Sequence, residues 1–429
     1  MEIQAAQPLS GYPSAISPRW VVLEFHCARK NKQDPNSVDA TTLAAARTST
    51  GHLIQVYLLL DAPPTTGRRT RDSVLIEIGH ADNPCVTDHF VYNAGAAAAD
   101  PRRPPSLSLP PPYFLAEEAV GDNFLRPVHR CLELFATGLL RRGDDDEIVV
   151  AELTTVAASE DEKKKNVVEL FMLRSGVWSI NYPPISCRDA DDRRGRQDLP
   201  TLWKSDIVVP VGDRLLCWVD FCIGLVFCDV FEENLRLQYV PLPKDESFIQ
   251  LKNRNVCVTA GGDTLKFVNI FPNCCCGGED ASKCDRCHNA YTIKTWALST
   301  DDMVWVMDSM VGSTELQAVL DSYEDLPRVP LSYPVINMDK PHVISFQLCE
   351  SYYHVKCGNP TLWLVTVDMT SKMVQSVSQC PGGQHLFGRP SSVSYYLNSC
   401  QSKSSDDTSN GGSQTDIEPP PVVIDDEQL

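Results

Sequence analysis

The sequence predicts an all-β fold, an antiparallel β-propeller-like domain of about six blades, with about seven as the alternative. Two observations favour this class. The chain contains about twenty short apolar runs separated by turn residues, and one convincing helix accompanies them. Doubly wound α/β folds and TIM barrels need a helix after nearly every strand, so both are excluded.

Three consecutive strands are expected within residues 215–243, the stretch around which the chain is organised. Two apolar runs, 215–219 and 225–231, flank a turn containing Gly224, a residue that takes a positive φ at little cost. Both runs are apolar on both faces, which is typical of strands covered on both sides.

The third strand, residues 235–242, alternates apolar and polar side chains and carries Pro241, with Pro243 just beyond it. Because proline donates no hydrogen bond to the ladder, this strand should end there or lie at a sheet edge. Buried inner strands followed by a more polar outer strand are typical of one propeller blade.

Differences in amino-acid composition divide the chain into three segments. Residues 1–18 are expected to form a flexible leader, and residues 19–400 a single propeller-like domain. Residues 401–429 are Ser/Gly-rich and then acidic, with seven acidic residues against one lysine. Such a segment buries too little apolar surface to fold, so we expect a disordered acidic tail.

Short residue patterns predict the positions of two hairpin turns and of the helix. Ser175 and Gly176 predict one hairpin turn, and residues 261–263 predict another. A helix is expected over residues 313–323, with Ser313 as its N-cap. Its apolar face would contain four side chains at helical spacing: Leu316, Val319, Leu320 and Tyr323.

Four tryptophans recur on predicted strands: Trp178, Trp218, Trp305 and Trp363. Their spacing is compatible with a blade repeat of about 40–50 residues. Buried aromatic residues in unrelated strands explain the same pattern equally well.

Composition limits the function. The chain has 429 residues and a net charge of −18. Because phosphate binding depends on clustered Lys and Arg, we expect neither nucleic-acid nor membrane binding. The 17 cysteines are odd in number and scattered, and no signal peptide is recognisable. Both observations favour a reducing compartment, so we expect a cytoplasmic or nuclear protein.

Residues 272–289 form a cysteine-rich insert. Cys276, Cys284, Cys287 and His288 are candidate zinc ligands, with Cys274 as an alternative to Cys276. The first cysteines are consecutive instead of spaced as Cys-x-x-Cys, so an exposed thiol-bearing loop is the competing interpretation. No other cofactor is indicated.

No catalytic motif is present: the sequence lacks a Gly-x-Ser-x-Gly elbow, a His-Glu-x-x-His motif and a Walker loop. We therefore assign no catalytic residue. Asp220 and Asp229 flank the central hairpin, and a carboxylate pair there is possible in principle, but sequence does not give their separation.

The central stretch, within residues 203–243, carries the distinctive residues Trp218, Asp220, Gly224 and Asp229. It resembles the signature of domain of unknown function 1618, a plant family greatly expanded in grasses. Weaker resemblances extend over residues 20–397. The resemblance implies a propeller domain and supplies no established activity.

These observations together predict a non-catalytic scaffold that binds an unidentified protein or peptide partner through loops on its top face. Two alternatives stay open. One is an enzyme with an Asp/His site in the central channel, and the other is a zinc-stabilised binding module.

Overall fold

The computed structural model describes residues 21–23, 43–56, 73–79, 87–93, 104–115, 128–142, 147–157, 166–187, 203–243, 251–259, 262–272, 290–327, 329–349, 362–380 and 389–391. Residues 1–18 and 401–429, the expected leader and tail, lie outside this part of the chain.

The described strands form five blades, preceded by β1 (Val21–Leu23) and the hairpin β2 (Ala44–Arg47) and β3 (Leu53–Val56). The first blade contains β4 (Ser73–Gly79), β5 (Thr87–Asn93) and β6 (Ser106–Ser108). A small hairpin, β7 (Phe114–Leu115) and β8 (Val128–His129), leads to the second blade. The second blade contains β9 (Thr137–Arg142), β10 (Glu147–Ala157), β11 (Asn166–Arg174) and β12 (Val177–Asn181).

The short strand β13 (Ile185–Cys187) precedes the third blade. That blade contains β14 (Ile207–Val211), β15 (Leu215–Asp220), β16 (Gly224–Asp229) and β17 (Leu237–Pro241). After a 3-10 turn, Leu251–Asn253, the fourth blade contains β18 (Arg254–Val258), β19 (Thr264–Pro272), β20 (Tyr291–Ser299) and β21 (Trp305–Gly312). The helix α1 (Ser313–Leu320) connects it to the fifth blade, which contains β22 (Ser332–Ile336), β23 (Val343–Cys349), β24 (Leu362–Asp368) and β25 (Met373–Cys380). The last described strand, β26 (Arg389–Ser391), pairs antiparallel with β1.

Successive blades contact one another through their first strands. β4 contacts β9, β9 contacts β14, β14 contacts β18, and β18 contacts β22. This arrangement confirms the predicted propeller-like class, and α1 is the single α-helix in the part of the chain that the structure describes. The blade number differs from the expected six or seven, because the described sheets of three or more strands number five; the other three described sheets have two strands each.

Apolar packing between blades explains the central sequence. On β15, Leu216 and Trp218 pack toward the second blade, whereas Cys217 and Val219 pack toward the fourth. All four side chains are fully buried. A strand between two neighbouring blades therefore needs apolar residues at consecutive positions, since alternate side chains enter different cores.

Gly224 is required for a reason that the sequence analysis did not anticipate. Its φ is not among the positive values, which occur at other glycines such as Gly176 and Gly262. A Cβ at position 224 would lie 2.6 Å from the Val240 carbonyl oxygen and 2.7 Å from the Tyr239 ring. Close approach of β17, not backbone conformation, therefore excludes a side chain here.

The third central strand, β17, ends at Pro241, as expected. It is not the edge of its sheet, because β13 pairs with it in parallel, from Ile185 opposite Leu237 to Cys187 opposite Tyr239. Of the two outcomes that the prolines allowed, only the termination is observed.

The helix prediction was partly wrong. α1 begins at Ser313 but its N-cap is Gly312, whose backbone N–H donates to Glu315 Oε2 at 2.8 Å. The Ser313 hydroxyl instead accepts a hydrogen bond from the Tyr291 backbone at 3.2 Å. Leu316 is buried, whereas Val319 and Tyr323 are exposed, so the buried stripe is narrower than predicted.

The four recurring tryptophans do lie on strands, but at different positions in their blades. Trp218 is on the second strand of a blade, Trp363 on a third, and Trp178 and Trp305 on fourth strands. A blade repeat would place all four equivalently, so they do not mark one, and of the four only Trp218 is fully buried.

Among the described residues, no helix has both the length and the apolar character needed to cross a membrane.

Candidate functional site: the outer edge of the fourth blade

The outermost strand of the fourth blade exposes an unusual amount of apolar surface. β21 pairs with β20 on one side, and no described strand pairs with its other side. Four large apolar side chains on β21 or directly before it are between 50% and 63% exposed: Val304, Val306, Met307 and Met310. An edge strand with such side chains is a template for another extended chain.

The other fourth strands do not share this property. β25 exposes mainly polar residues, including Gln375, Ser376 and Gln379, in addition to Met373 at its start. β12 exposes one large apolar side chain, Val177, and β17 is covered by β13. Polar side chains and covering strands are common ways of protecting a sheet edge from association. Within the described blades, β21 has neither protection.

A β-bulge divides β21. Thr295 pairs with Ser309 and Trp296 pairs with Met307, so Asp308 has no residue opposite it. Its carboxylate accepts hydrogen bonds from the Lys266 ammonium and the Thr295 hydroxyl. Lys266 and Thr295 are both buried. The extra residue is therefore fixed by an ion pair, and bulges of this kind redirect the strand that contains them.

The bulge lies between Met307 and Ser309. Val304, Val306 and Met307 are exposed before it; after it, Met310 is half-exposed and Val311 is buried in the core shared with the fifth blade. Three of the four exposed apolar side chains therefore precede Asp308 in the chain.

An open concavity of about 510 Å³ adjoins this edge. Six residues from β19, β20, the start of β21 and the segment just before it line the concavity: Thr264, Ala297, Ser299, Asp302, Val304 and Val306. Ala297 pairs directly with Val306, and Thr264 with Ser299. The concavity is thus a groove on one sheet face, with apolar and small polar walls.

The groove is acidic at one end. Asp302 lines it, and Asp263 and Asp301 lie in the neighbouring turns. Outside the groove lining, Asp308 forms an ion pair with Lys266. The acidic end agrees in sign with the net charge of −18, so a cationic ligand is favoured over an anionic one.

The carboxylate of Asp220, in the central motif, is held by hydrogen bonds from backbone N–H groups. One of its carboxylate oxygens accepts hydrogen bonds from the backbone N–H groups of Cys222 at 2.8 Å and Ile223 at 3.1 Å. The other accepts one from the Lys204 backbone at 3.0 Å. The nearby Asp206 accepts a hydrogen bond from the Phe221 backbone, and burial together with the charge of Asp220 raises the pKa of Asp206. These contacts hold the 220–224 turn.

Asp229 lies at the opposite end of the same hairpin, where it pairs with Arg214 at 2.6 Å and accepts a hydrogen bond from the Phe231 backbone. Asp220 faces Gly224 in the ladder, whereas Asp229 faces Leu215. The separation along the strand is therefore about 17 Å. The carboxylate pair that was possible in principle does not form.

Trp218, the remaining central residue, is completely buried between the second and third blades.

The candidate zinc ligands, Cys276, Cys284, Cys287 and His288, lie outside the described residues, as does Cys274. Elsewhere in the described ranges, no group of three or more His, Cys, Asp or Glu side chains is arranged to hold a metal ion. The zinc site in the insert therefore stays a prediction.

A buried ionic network in the second blade was missed by the sequence analysis. The Arg130 guanidinium donates to Glu152 at 2.9 Å and Glu169 at 2.7 Å, and lies 4.0 Å from the centre of the Phe171 ring. The Tyr182 hydroxyl also donates to Glu169. Arg130 precedes the blade and the glutamates are on β10 and β11, so the network anchors the entering chain to the blade.

Sequence reasoning also missed the β21 edge. An exposed edge strand and a core strand can have the same apolar composition, so the sequence pattern alone does not distinguish them. The acidic pair Asp301 and Asp302 directly before an apolar run was the available signal.

The family described as a protein of unknown function, DUF1618, has a model that matches residues 218–345. The matched segment begins at Trp218, within β15. It contains β16 and β17 of the third blade, the whole of the fourth blade, and α1. The candidate edge therefore lies inside the matched segment. No curated protein matches the chain.

Proposed function

We propose that this chain, whose residues 218–345 match the DUF1618 family of unknown function, is a protein-binding scaffold that holds an extended segment of a partner protein along β21. The observation that carries the proposal is the exposure of Val304, Val306 and Met307 on an edge that no described strand covers. Main-chain pairing at such an edge supplies affinity, and adjacent side-chain grooves supply specificity.

The molecule itself contains an example of this kind of pairing. β13, an extended segment of three residues, adds in parallel to the outer strand of the third blade. The blade geometry is therefore compatible with an additional strand at its outer edge. The corresponding position on the fourth blade is open among the described residues.

The binding surface differs from the one expected from the sequence. Top-face loops were the expected location, and that expectation stays a prediction. The edge of β21 is preferred because it combines exposed backbone, exposed apolar side chains and an adjoining groove in one place.

Site-specific photo-crosslinking tests the proposal. A benzophenone amino acid replaces Val306 in one variant and Gln375, on the polar edge β25, in a matched control. Both are used in extracts of the source organism, and the crosslinked partner segments are identified by mass spectrometry. A synthetic peptide of the segment recovered at position 306 is then added to the unmodified protein.

We expect position 306, and not position 375, to yield a recurring short segment whose synthetic peptide slows amide exchange in β21. The proposal is wrong if both positions yield the same adducts, or if the peptide protects a different part of the propeller.

A further inference from the structure

We infer that the segment bound at β21 is short, has small apolar side chains at alternate positions, and carries Lys or Arg beside them. This inference rests on the proposed function and adds the chemistry of the partner. The length, the side-chain pattern and the charge of the bound segment each follow from a different feature of the β21 edge.

The length follows from the bulge. Three of the four exposed apolar side chains lie within residues 304–307, and Asp308, which has no residue opposite it in β20, separates them from the fourth, Met310. Because Lys266 and Thr295 fix the Asp308 carboxylate, the redirection of the strand is built into the blade. A regular ladder with a partner would therefore cover about four residues of β21 and stop at the bulge.

The side-chain pattern follows from the groove. Successive residues of a strand point to opposite faces of a sheet, so every second partner residue faces the groove. Ala297, Val304 and Val306 provide its apolar walls. These wall side chains are themselves small, and β-branched residues such as Val or Thr pack well on a pleated, half-buried surface of this kind.

The charge follows from the acidic end. Asp302 is part of the groove wall and Asp263 lies in the adjacent turn. A Lys or Arg next to the apolar positions would approach these carboxylates. Such contacts at an interface rim act mainly on the association rate and on selectivity, and they weaken in salt.

The same charges argue against a second copy of this chain as the occupant. Two copies paired through β21 would bring two Asp302-lined grooves together, and each chain has a net charge of −18. Like charges at the interface would oppose association. A basic segment of a different protein is therefore the occupant that the electrostatics favour.

The test uses three fluorescein-labelled probe peptides that differ only at their charged positions. The basic probe is Lys-Thr-Val-Thr-Val-Lys, the acidic probe has Glu in place of Lys, and the neutral probe has Gln. Binding is measured by fluorescence anisotropy at low salt and at high salt, and amide hydrogen exchange of β21 is followed in parallel. Analytical ultracentrifugation gives the oligomeric state.

We expect the basic probe to bind at least about tenfold more tightly than the acidic probe at low salt, with a smaller difference at high salt. The double variant Asp263→Asn/Asp302→Asn should reduce this preference by about threefold or more. The matched control, Glu324→Gln/Asp325→Asn, changes two exposed acids beyond α1 and should leave the preference unchanged.

Equal binding of the three probes, with protection of β21, would overturn the inferred charge preference and leave the proposed function standing. Failure of every probe to slow exchange in β21 would count against both. A dimer in which β21 is protected without any probe would replace the basic partner by a second copy.

Discussion

The indole N–H of Trp218 donates a 2.7 Å hydrogen bond to the carbonyl oxygen of Ala136, which precedes the first strand of the neighbouring blade. Two other tryptophans make a related contact: Trp178 donates to Pro111 at 2.6 Å and Trp305 donates to Pro241 at 3.0 Å. Trp305 reaches the last strand of the blade before it and Trp218 reaches the residue before the first strand of the second blade, whereas Trp178 reaches the segment between β6 and β7 that connects the first blade to the second. The indoles therefore tie each blade to the chain that precedes it, although they lie at different strand positions.

Replacing Trp218 with Phe tests this link. The variant keeps an aromatic ring in the core but removes the donor and leaves a small void, so we expect a loss of about 1–3 kcal/mol in the free energy of unfolding. The Ala136 oxygen keeps its 3.2 Å hydrogen bond from the Leu153 backbone, which limits the cost. Urea unfolding measures the difference. The exposed Val177→Thr variant is the control and should change stability by less than about 0.5 kcal/mol; an equal effect of both would contradict the assigned role.

Gly224→Ala should destabilise the third blade by about 2–3 kcal/mol, because the new methyl group would overlap the Val240 carbonyl oxygen. Gly79→Ala is a matched control in another strand, since nothing lies within 4 Å of a Cβ there. We expect the control to be within about 0.5 kcal/mol of the wild type. Thermal and urea unfolding of the two variants compare these values. A tolerated substitution at position 224 would show that β17 can move away from the hairpin.

The central hairpin could be predicted from sequence because its signal is local. Consecutive apolar residues such as Cys217 and Trp218 indicate a strand with both faces buried, and the two cores around β15 confirm it. The positive φ expected at Gly224 was wrong because the decisive contact is with Val240, a residue of another strand. A long-range steric requirement leaves no pattern in the neighbouring sequence.

The blade number and the candidate edge could not be derived in the same way. Blade counting needs a repeat, and the recurring tryptophans are not equivalent. The exposure of Val306 and Met307 depends on which strand is outermost in a blade. Likewise, the covering of β17 by β13 is a pairing between distant residues, such as Ile185 and Leu237.

His89 makes stability depend on pH. Burial, followed by the nearby charge of His129, lowers the pKa of His89 from 6.5 to about 4 in the folded protein, although Asp88 acts in the opposite direction. Glu77 lies 3.7 Å away, but the imidazole is neutral at pH 7. Between these two pKa values the unfolded chain binds a proton that the folded chain does not. With respect to this group, the free energy of unfolding is therefore highest above pH 6.5. It falls by at most about 3 kcal/mol as the pH is lowered toward 4.

The His89→Gln variant isolates this effect. Urea unfolding of wild type and variant is compared between pH 4 and pH 7.5. We expect the stability difference to change by up to about 3 kcal/mol across this interval, in the direction that favours the variant at low pH. A difference that stays constant with pH would show that His89 is not neutral and buried.

The described cysteines should differ in reactivity. Cys131 and Cys222 are exposed, whereas Cys217, Cys228 and Cys257 are buried. Burial raises the pKa of Cys228 and Cys257 to about 12, and partial burial together with Asp220 raises that of Cys222. Because the thiolate is the reactive form, we expect iodoacetamide to modify Cys131 first, Cys222 more slowly, and the buried thiols only after denaturation. Mass spectrometry of peptides from native and denatured protein gives these rates, and early modification of Cys257 would contradict its burial.

The proposal that β21 is an open docking edge is tested most directly by residue-resolved amide hydrogen exchange of the free protein. In an edge strand only the amides directed at β20 are hydrogen-bonded, so we expect protection to alternate along residues 304–307 and to become uniform when the basic probe is added. Uniform protection of these amides in the free protein, equal to that of β20, would contradict the proposal, because it would show that the edge is already covered.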